Sequence, residues 1–164
     1  MEVKKVEIID PYNTAQLELL NDFCLRNDIE NVAKKLQEQA QSKDQVTYLK
    51  DKSINPIVED YIAIIANDKI TDYCYFHGEK DIRQAFLSFP QVLGKKHVKN
   101  RPIIQVAVDY AFSLGMEEIF VTSINEDISL QNSLEEMGFI SLGSDDYQTP
   151  FVLTKEETKD KVIA

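Results

Sequence analysis

A chain of 164 residues, 43% hydrophobic and 28% charged with five glycines and five prolines, has the composition of one globular domain with a buried core, which excludes a disordered or fibrous class. Its formal net charge of −10 repels a phosphate backbone and no basic tail offsets it, so nucleic acid is not expected as a main ligand. The longest apolar run, residues 61–66, is too short to span a bilayer, no signal-peptide stretch follows the first five residues, and Cys24 and Cys74 stand alone; the expectation is a cytoplasmic protein with reduced thiols, no membrane partner and no metal site.

Residues 3–9 alternate and carry β-branched side chains, which predicts a first strand stopped at Asp10-Pro11. Asn13 with Gln16 three residues on suggests a capping box, and Leu17, Leu20, Phe23 and Cys24 follow at helical spacing. A second amphipathic helix is expected from about Ile29, with Val32, Ala33, Leu36 and Ala40 on one face. Residues 41–55 are polar and irregular apart from a short apolar run at 46–49, and no element is expected there. Residues 61–66 and 70–77 are apolar runs separated by Asn67-Asp68-Lys69, the composition of a tight hairpin. Tyr73, Tyr75 and His77 share one face of the second run, where they either line a cleft or pack a helix against the sheet. A turn at 78–81 leads into a further strand at 85–89.

The pattern then changes to strand, helix, strand, helix, strand. Asn100 is suited to cap a helix with Pro102 in its first turn; Ile103, Ile104, Ala107, Val108, Ala111 and Leu114 form its apolar face and Gly115 its stop. Residues 118–122, with Ile119-Phe120-Val121 at their centre, read as a buried parallel strand. A helix over 129–137 stops at Gly138, and strands at 139–142 and 151–154 close the domain around a polar turn. One domain is expected over residues 1–156, followed by a charged tail at 157–164.

The run Gln105 to Val121, followed by Leu134-Glu135-Glu136-Met137-Gly138-Phe139, resembles the second half of the GNAT superfamily of N-acetyltransferases. That family has a helix, a parallel strand, a second helix and a Gly-Phe step in this order and at about this spacing. The strands and two helices upstream extend the resemblance in element order over nearly the whole chain. It implies a mixed α/β fold ordered β-α-α-β-β-β-α-β-α-β-β, acetyl-CoA as cofactor, and an amine on a small molecule or peptide as acceptor; a homodimer is left open.

The family's cofactor loop runs Arg or Gln, two residues, Gly, one residue, Gly or Ala, and wraps a pyrophosphate with backbone N–H groups at a helix N-terminus. Those positions fall on Lys95, Val98 and Asn100, so both glycines are absent, and β-branched Val98 does not reach positive φ cheaply. Lys95, Lys96, His97, Lys99 and Arg101 nevertheless form the densest positive cluster of the chain at that place, and such side chains can replace backbone donors as phosphate ligands. The resemblance therefore implies cofactor contacts from Phe89 and Pro90, from Lys95, Lys96, His97, Val98, Lys99, Asn100 and Arg101, and from Asp127, which stands where the family has Asn and also reads as a helix N-cap.

The family's thiolate-protonating Tyr falls on Ser133, whose hydroxyl lacks the acidity, leaving Tyr110 or Tyr147 to act from elsewhere. Glu59, Asp60 and Glu79 lie near strand ends, and the sequence singles out none of them as a base. Walker, Rossmann, zinc-protease and nucleophile-elbow signatures are lacking. Two readings stay open: an N-acetyltransferase working by direct attack of an amine on the thioester, or a domain of this fold that has lost catalysis and serves in binding or regulation.

Overall fold

The structure, a computed structural model, describes residues 4–90 and 102–155. Strand β1 (Lys4–Ile8) ends just before Asp10-Pro11, and α1 (Thr14–Arg26) starts under an Asn13 cap whose side chain accepts from the Gln16 N–H at 3.1 Å. Gln16 turns back to accept from the Asp10 N–H at 2.7 Å, closing the turn between strand and helix. Asn31 caps α2 (Val32–Gln41) in the same way.

The segment for which the sequence predicts no element forms a helix, α3 (Gln45–Ile54). Its Asp44 cap accepts from the Thr47 N–H at 2.7 Å, which also holds the Asp44 carboxyl below its ordinary range. None of its residues is fully buried, and Val46, Leu49 and Ile54 are exposed. An amphipathic stripe, the usual signal for a helix, is therefore missing because the helix does not pack one. This helix is an addition to the expected element order.

Next come β2 (Ile57–Ala66) and β3 (Lys69–Glu79), each longer than the sequence predicts. Asn67 and Asp68 both adopt positive φ between the paired residues Ala66 and Lys69, the two-residue turn that matches strand twist. The remaining elements are β4 (Gln84–Ser88), α4 (Pro102–Ser113), β5 (Glu118–Ile124), α5 (Ile128–Glu136), β6 (Ile140–Ser141) and β7 (Gln148–Thr154). Gly115 and Gly138 stop α4 and α5 at positive φ, as their positions suggest.

The strands form one seven-stranded sheet in the order β1-β2-β3-β4-β5-β7-β6, with β4 and β5 parallel and every other pair antiparallel. Helices α4 and α5 cover one face, over a core that includes Ile62, Phe76, Leu87, Ile119 and Phe151. Helices α1 and α2 cover the other face only over β2 and β3, around Phe23, Ala63, Ile65 and Tyr73. On that same face Phe86 and Phe120 stack at 5.3 Å outside the helix cover, with Phe86 exposed. No helix among the described residues is long and apolar enough to cross a membrane.

Candidate active site

The parallel ladder between β4 and β5 is short. It pairs Gln84 with Glu118, Ala85 with Ile119, Phe86 with Phe120 and Leu87 with Val121, and there it stops. Both strands continue on their outer partners, β4 to Ser88 against Tyr75 of β3 and β5 to Ile124 against Gln148 of β7. The inner edges of two parallel strands thus part at their carboxyl ends, the place where open α/β sheets take ligands. Phe89 and Pro90 continue the chain from β4 at this opening, and Phe89 packs against the core.

A cavity of about 480 Å³ lies on the α1–α2 face over β2 and β3, within the size range of small-molecule sites. Its floor is Glu59 and Tyr61 from β2 and Tyr75 from β3; its walls come from α2, α3 and the turn between them. The Tyr61 and Tyr75 rings are 5.1 Å apart and tilted by 51°. Because Tyr75 and Ser88 are cross-strand partners, the floor ends one strand away from the parting of β4 and β5. The turn between the helices is fixed by Tyr12, whose hydroxyl lies 3.0 Å from the Ala40 carbonyl and 2.7 Å from that of Lys43, while its ring meets Tyr48 of α3 edge-on at 5.3 Å.

Glu59 and His77 face each other across β2 and β3. His77 Nδ1 is 3.4 Å from a Glu59 carboxylate oxygen and its Nε2 is 3.3 Å from Glu79, so the imidazole is held between two carboxylates. Burial, with the negative charge of Glu59 next to it, pushes the Tyr75 hydroxyl up to about 12. The cavity floor therefore brings the Glu59 carboxylate, paired with the His77 imidazole behind it, next to a phenol that keeps its proton at neutral pH.

A second carboxylate lies on the opposite face. Asp60 of β2 is buried and accepts from Lys52 Nζ of α3 at 2.7 Å and from the Tyr110 hydroxyl of α4 at 2.5 Å. Burial works against the Lys52 charge, but the hydrogen bond and charge of Asp60 outweigh it and hold the ammonium above its ordinary value. These bonds tie α3 to the sheet where β1 no longer covers β2, since the β1 ladder ends at Ile8 and Ile62.

No family model matches the sequence and no curated protein matches it. Solved structures do match along its whole length. The spermidine/spermine N-acetyltransferase SpeG from Vibrio cholerae is similar with a TM-score of 0.66 at 15% identity, over 97% of this chain and 98% of that one. The ribosomal-protein-S5-alanine acetyltransferase from Vibrio fischeri is similar with a TM-score of 0.68 at 11% identity, over 94% of each chain. The chain has the GNAT acetyltransferase fold. The Campylobacter jejuni N-acetyltransferase PseH, solved in complex with acetyl coenzyme A, gives a TM-score of 0.60 at 13% identity, over 93% of this chain and 99% of that one.

Within the GNAT fold the sequence-derived site residues separate into groups. Phe89 and Pro90 stand at the β4–β5 opening, and Lys95, Lys96, His97, Val98, Lys99, Asn100 and Arg101 lie outside the described residues, directly ahead of α4 in sequence. Asp127 follows β5 and caps α5, accepting from the Leu130 N–H at 3.0 Å. Ser133 is buried with its hydroxyl donated to the Ser129 carbonyl at 3.0 Å. Tyr110 spends its proton on Asp60, on the face away from the cavity. Tyr147 is exposed in the turn before β7, its carbonyl accepting from the Asn125 N–H at the end of β5. The face shared by Tyr73, Tyr75 and His77 is divided in use: Tyr73 packs edge-on against Phe23 of α1 at 5.4 Å, Tyr75 floors the cavity and His77 meets the carboxylates.

The raised tyrosines carry a stability consequence. Burial is the first cause for Tyr73, Tyr75 and Tyr110, and all three sit above the ordinary value of 10, as does Lys52 above 10.5. Groups raised on folding contribute fully below their unfolded values and lose that contribution as pH climbs through the folded ones. The melting temperature is thus expected to fall steeply once pH exceeds about 10. Absorbance at the phenolate band should rise together with unfolding; full phenolate ionisation with the fold intact would contradict the burial.

Proposed function

We propose that the protein is an acetyl-CoA-dependent N-acetyltransferase that acetylates a primary amine by direct attack, with the acceptor in the cavity and the acetyl donor between β4 and β5. The observation that carries this reading is the parting of β4 from β5 one strand away from the cavity floor. The inner edges of Ser88 and Thr122 border the gap without a ladder between them, so an extended arm bearing amides fits there as an added strand would. The basic cluster Lys95, Lys96, His97, Lys99 and Arg101, with Asn100 next to α4, takes the pyrophosphate by charge where the family uses glycine backbone. Phe89, Pro90 and Val98 border the arm, and Asp127 borders it from the β5 side.

Bound acetyl-CoA supplies a thioester; the amine nitrogen bonds to its carbonyl carbon, the carbon–sulfur bond breaks, and coenzyme A leaves as the thiol with the proton count kept by the proton lost from the amine. Glu59, coupled to His77, accepts the amine's proton. Tyr75, one strand from Ser88 and still protonated at neutral pH, donates one to the departing sulfur and regains one from Glu59, to which its hydroxyl is hydrogen-bonded. The sequence places no acid at Ser133 of α5, and Tyr75 fills that role from β3.

Thiol release from acetyl-CoA across a panel of primary amines tests this. Tyr75→Phe and Glu59→Gln should each lower kcat/KM by about 100-fold, with acetyl-CoA affinity kept. Thiol release with no amine in the panel, despite tight acetyl-CoA binding, would favour the reading in which the Ser133 position and the missing loop glycines mark lost catalysis. Variants as active as the parent would remove Tyr75 and Glu59 from the chemistry.

A further inference from the structure

The charges around the cavity are sorted by position. Glu59 lies on the floor, and its ion-pair partner among the described residues is the imidazole of His77 and not a lysine or arginine. The rings of Tyr61 and Tyr75, in contact with each other, lie beside it on the floor, and the Tyr75 hydroxyl bonds to its carboxylate. A carboxylate beside an aromatic surface is a setting for an ammonium group. The wall is net positive, since Lys35 and Lys43 stand against one lining carboxylate, Asp51. Lys35 projects from α2 and Lys43 from the turn that follows it. Their partners are Glu30 and, at 3.3 Å, Asp51, with all four side chains substantially exposed. Exposed pairs of this kind are weak and exchange partners readily. The third lining lysine, Lys52, is turned to buried Asp60 and is not available to a ligand.

We infer that the cavity takes a dipolar amine: its ammonium on Glu59 beside the rings of Tyr61 and Tyr75, and an anionic group, carboxylate or phosphate, at its other end on Lys35 and Lys43. This rests on the acetyl-transfer reading for the identity of the reacting nitrogen, but not for the binding itself. It also sets this protein apart from a polyamine acetyltransferase, because a second ammonium on the acceptor would meet Lys35 and Lys43. The net charge of −10 is misleading at this site, since the wall carries locally positive side chains.

The test uses the full chain and three matched sets of ligands with equal chain length: ω-amino acids and aminoalkyl phosphates, plain alkylamines, and spermidine. Binding is read without acetyl-CoA, from chemical-shift changes in the rings of Tyr48, Tyr61 and Tyr75, and turnover is read with it. At least one of the two dipolar sets should bind more than tenfold more tightly than the alkylamines, the better set identifying the anion, and spermidine should bind least. In a Lys35→Gln/Lys43→Gln variant the preference for the dipolar set should fall toward one, and Glu59→Gln should weaken all amines. Circular dichroism checks that both variants fold. Alkylamines or spermidine binding as well as the dipolar sets, or a preference unchanged in the lysine variant, would overturn the inference. Dipolar amines that bind selectively but are never acetylated would overturn the acetyl-transfer reading and leave this one standing.

Discussion

Phe76→Ala lowers the free energy of unfolding by about 4 kcal/mol, the range for a fully buried aromatic whose site cannot collapse. Phe76 is completely buried at the centre of β3, on the face covered by α4. Its ring meets Tyr110 edge-on at 5.1 Å. Two residues along the same strand, a Cβ on Gly78 would come within 2.8 Å of both the Phe76 ring and the Met116 methyl. The ring, the thioether and the bare backbone of Gly78 therefore fill one space. Alanine at 76 leaves a void bounded by β3, α4 and Met116, which rigid strand pairing to β2 and β4 on both sides keeps open. Tyr110 also loses the surface that aims its hydroxyl at Asp60. The costs of Phe76→Ala and Tyr110→Phe should accordingly be less than additive. Urea denaturation measures both; a loss below about 1.5 kcal/mol for Phe76→Ala would mean that the ring does not pack as described.

Lys52→Met is expected to cost about 2 kcal/mol, less than the full penalty of breaking a buried pair because Lys52 keeps part of its side chain in water. Asp60 is then a buried carboxylate with Tyr110 as its remaining donor among the partners described here. Replacing the three groups together by Leu at 60, Met at 52 and Phe at 110 should recover much of the loss. A triple variant no more stable than Lys52→Met alone would show that Lys52 acts only by covering surface.

The elements with their own local signals were legible in the sequence. Asn13 with Gln16, Asn67 with Asp68, Gly115 and Gly138 each mark a boundary through a backbone requirement, and each boundary is found within a few residues of its expected place. Helix α3 was not legible because it is stabilised by an end cap and by two side chains, Tyr48 and Lys52, whose partners Tyr12 and Asp60 lie on other elements. The pairing of Glu59 with His77 was hidden for a different reason. Counting outward from the Asn67-Asp68 turn without interruption sets Glu59 opposite Phe76. The register shift between Ile64 and Ile65 places Thr71 as an extra residue in β3, and Glu59 then faces His77. A bulge of this kind changes which side chains meet, and no residue in the sequence announces it. The parting of β4 from β5 is likewise a property of their outer partners, β3 and β7, which hold strands that run on after their own ladder ends.

The most direct test of acetyl-CoA use is calorimetric titration of the protein with acetyl-CoA and with coenzyme A, repeated on Lys95→Ala/Lys96→Ala/Lys99→Ala. The account predicts micromolar binding of both ligands and a loss of at least roughly 100-fold in the variant, as expected when several charge-assisted phosphate contacts are removed. No heat of binding at millimolar acetyl-CoA with the parent protein would contradict it, and the parting of β4 and β5 would then serve some other ligand.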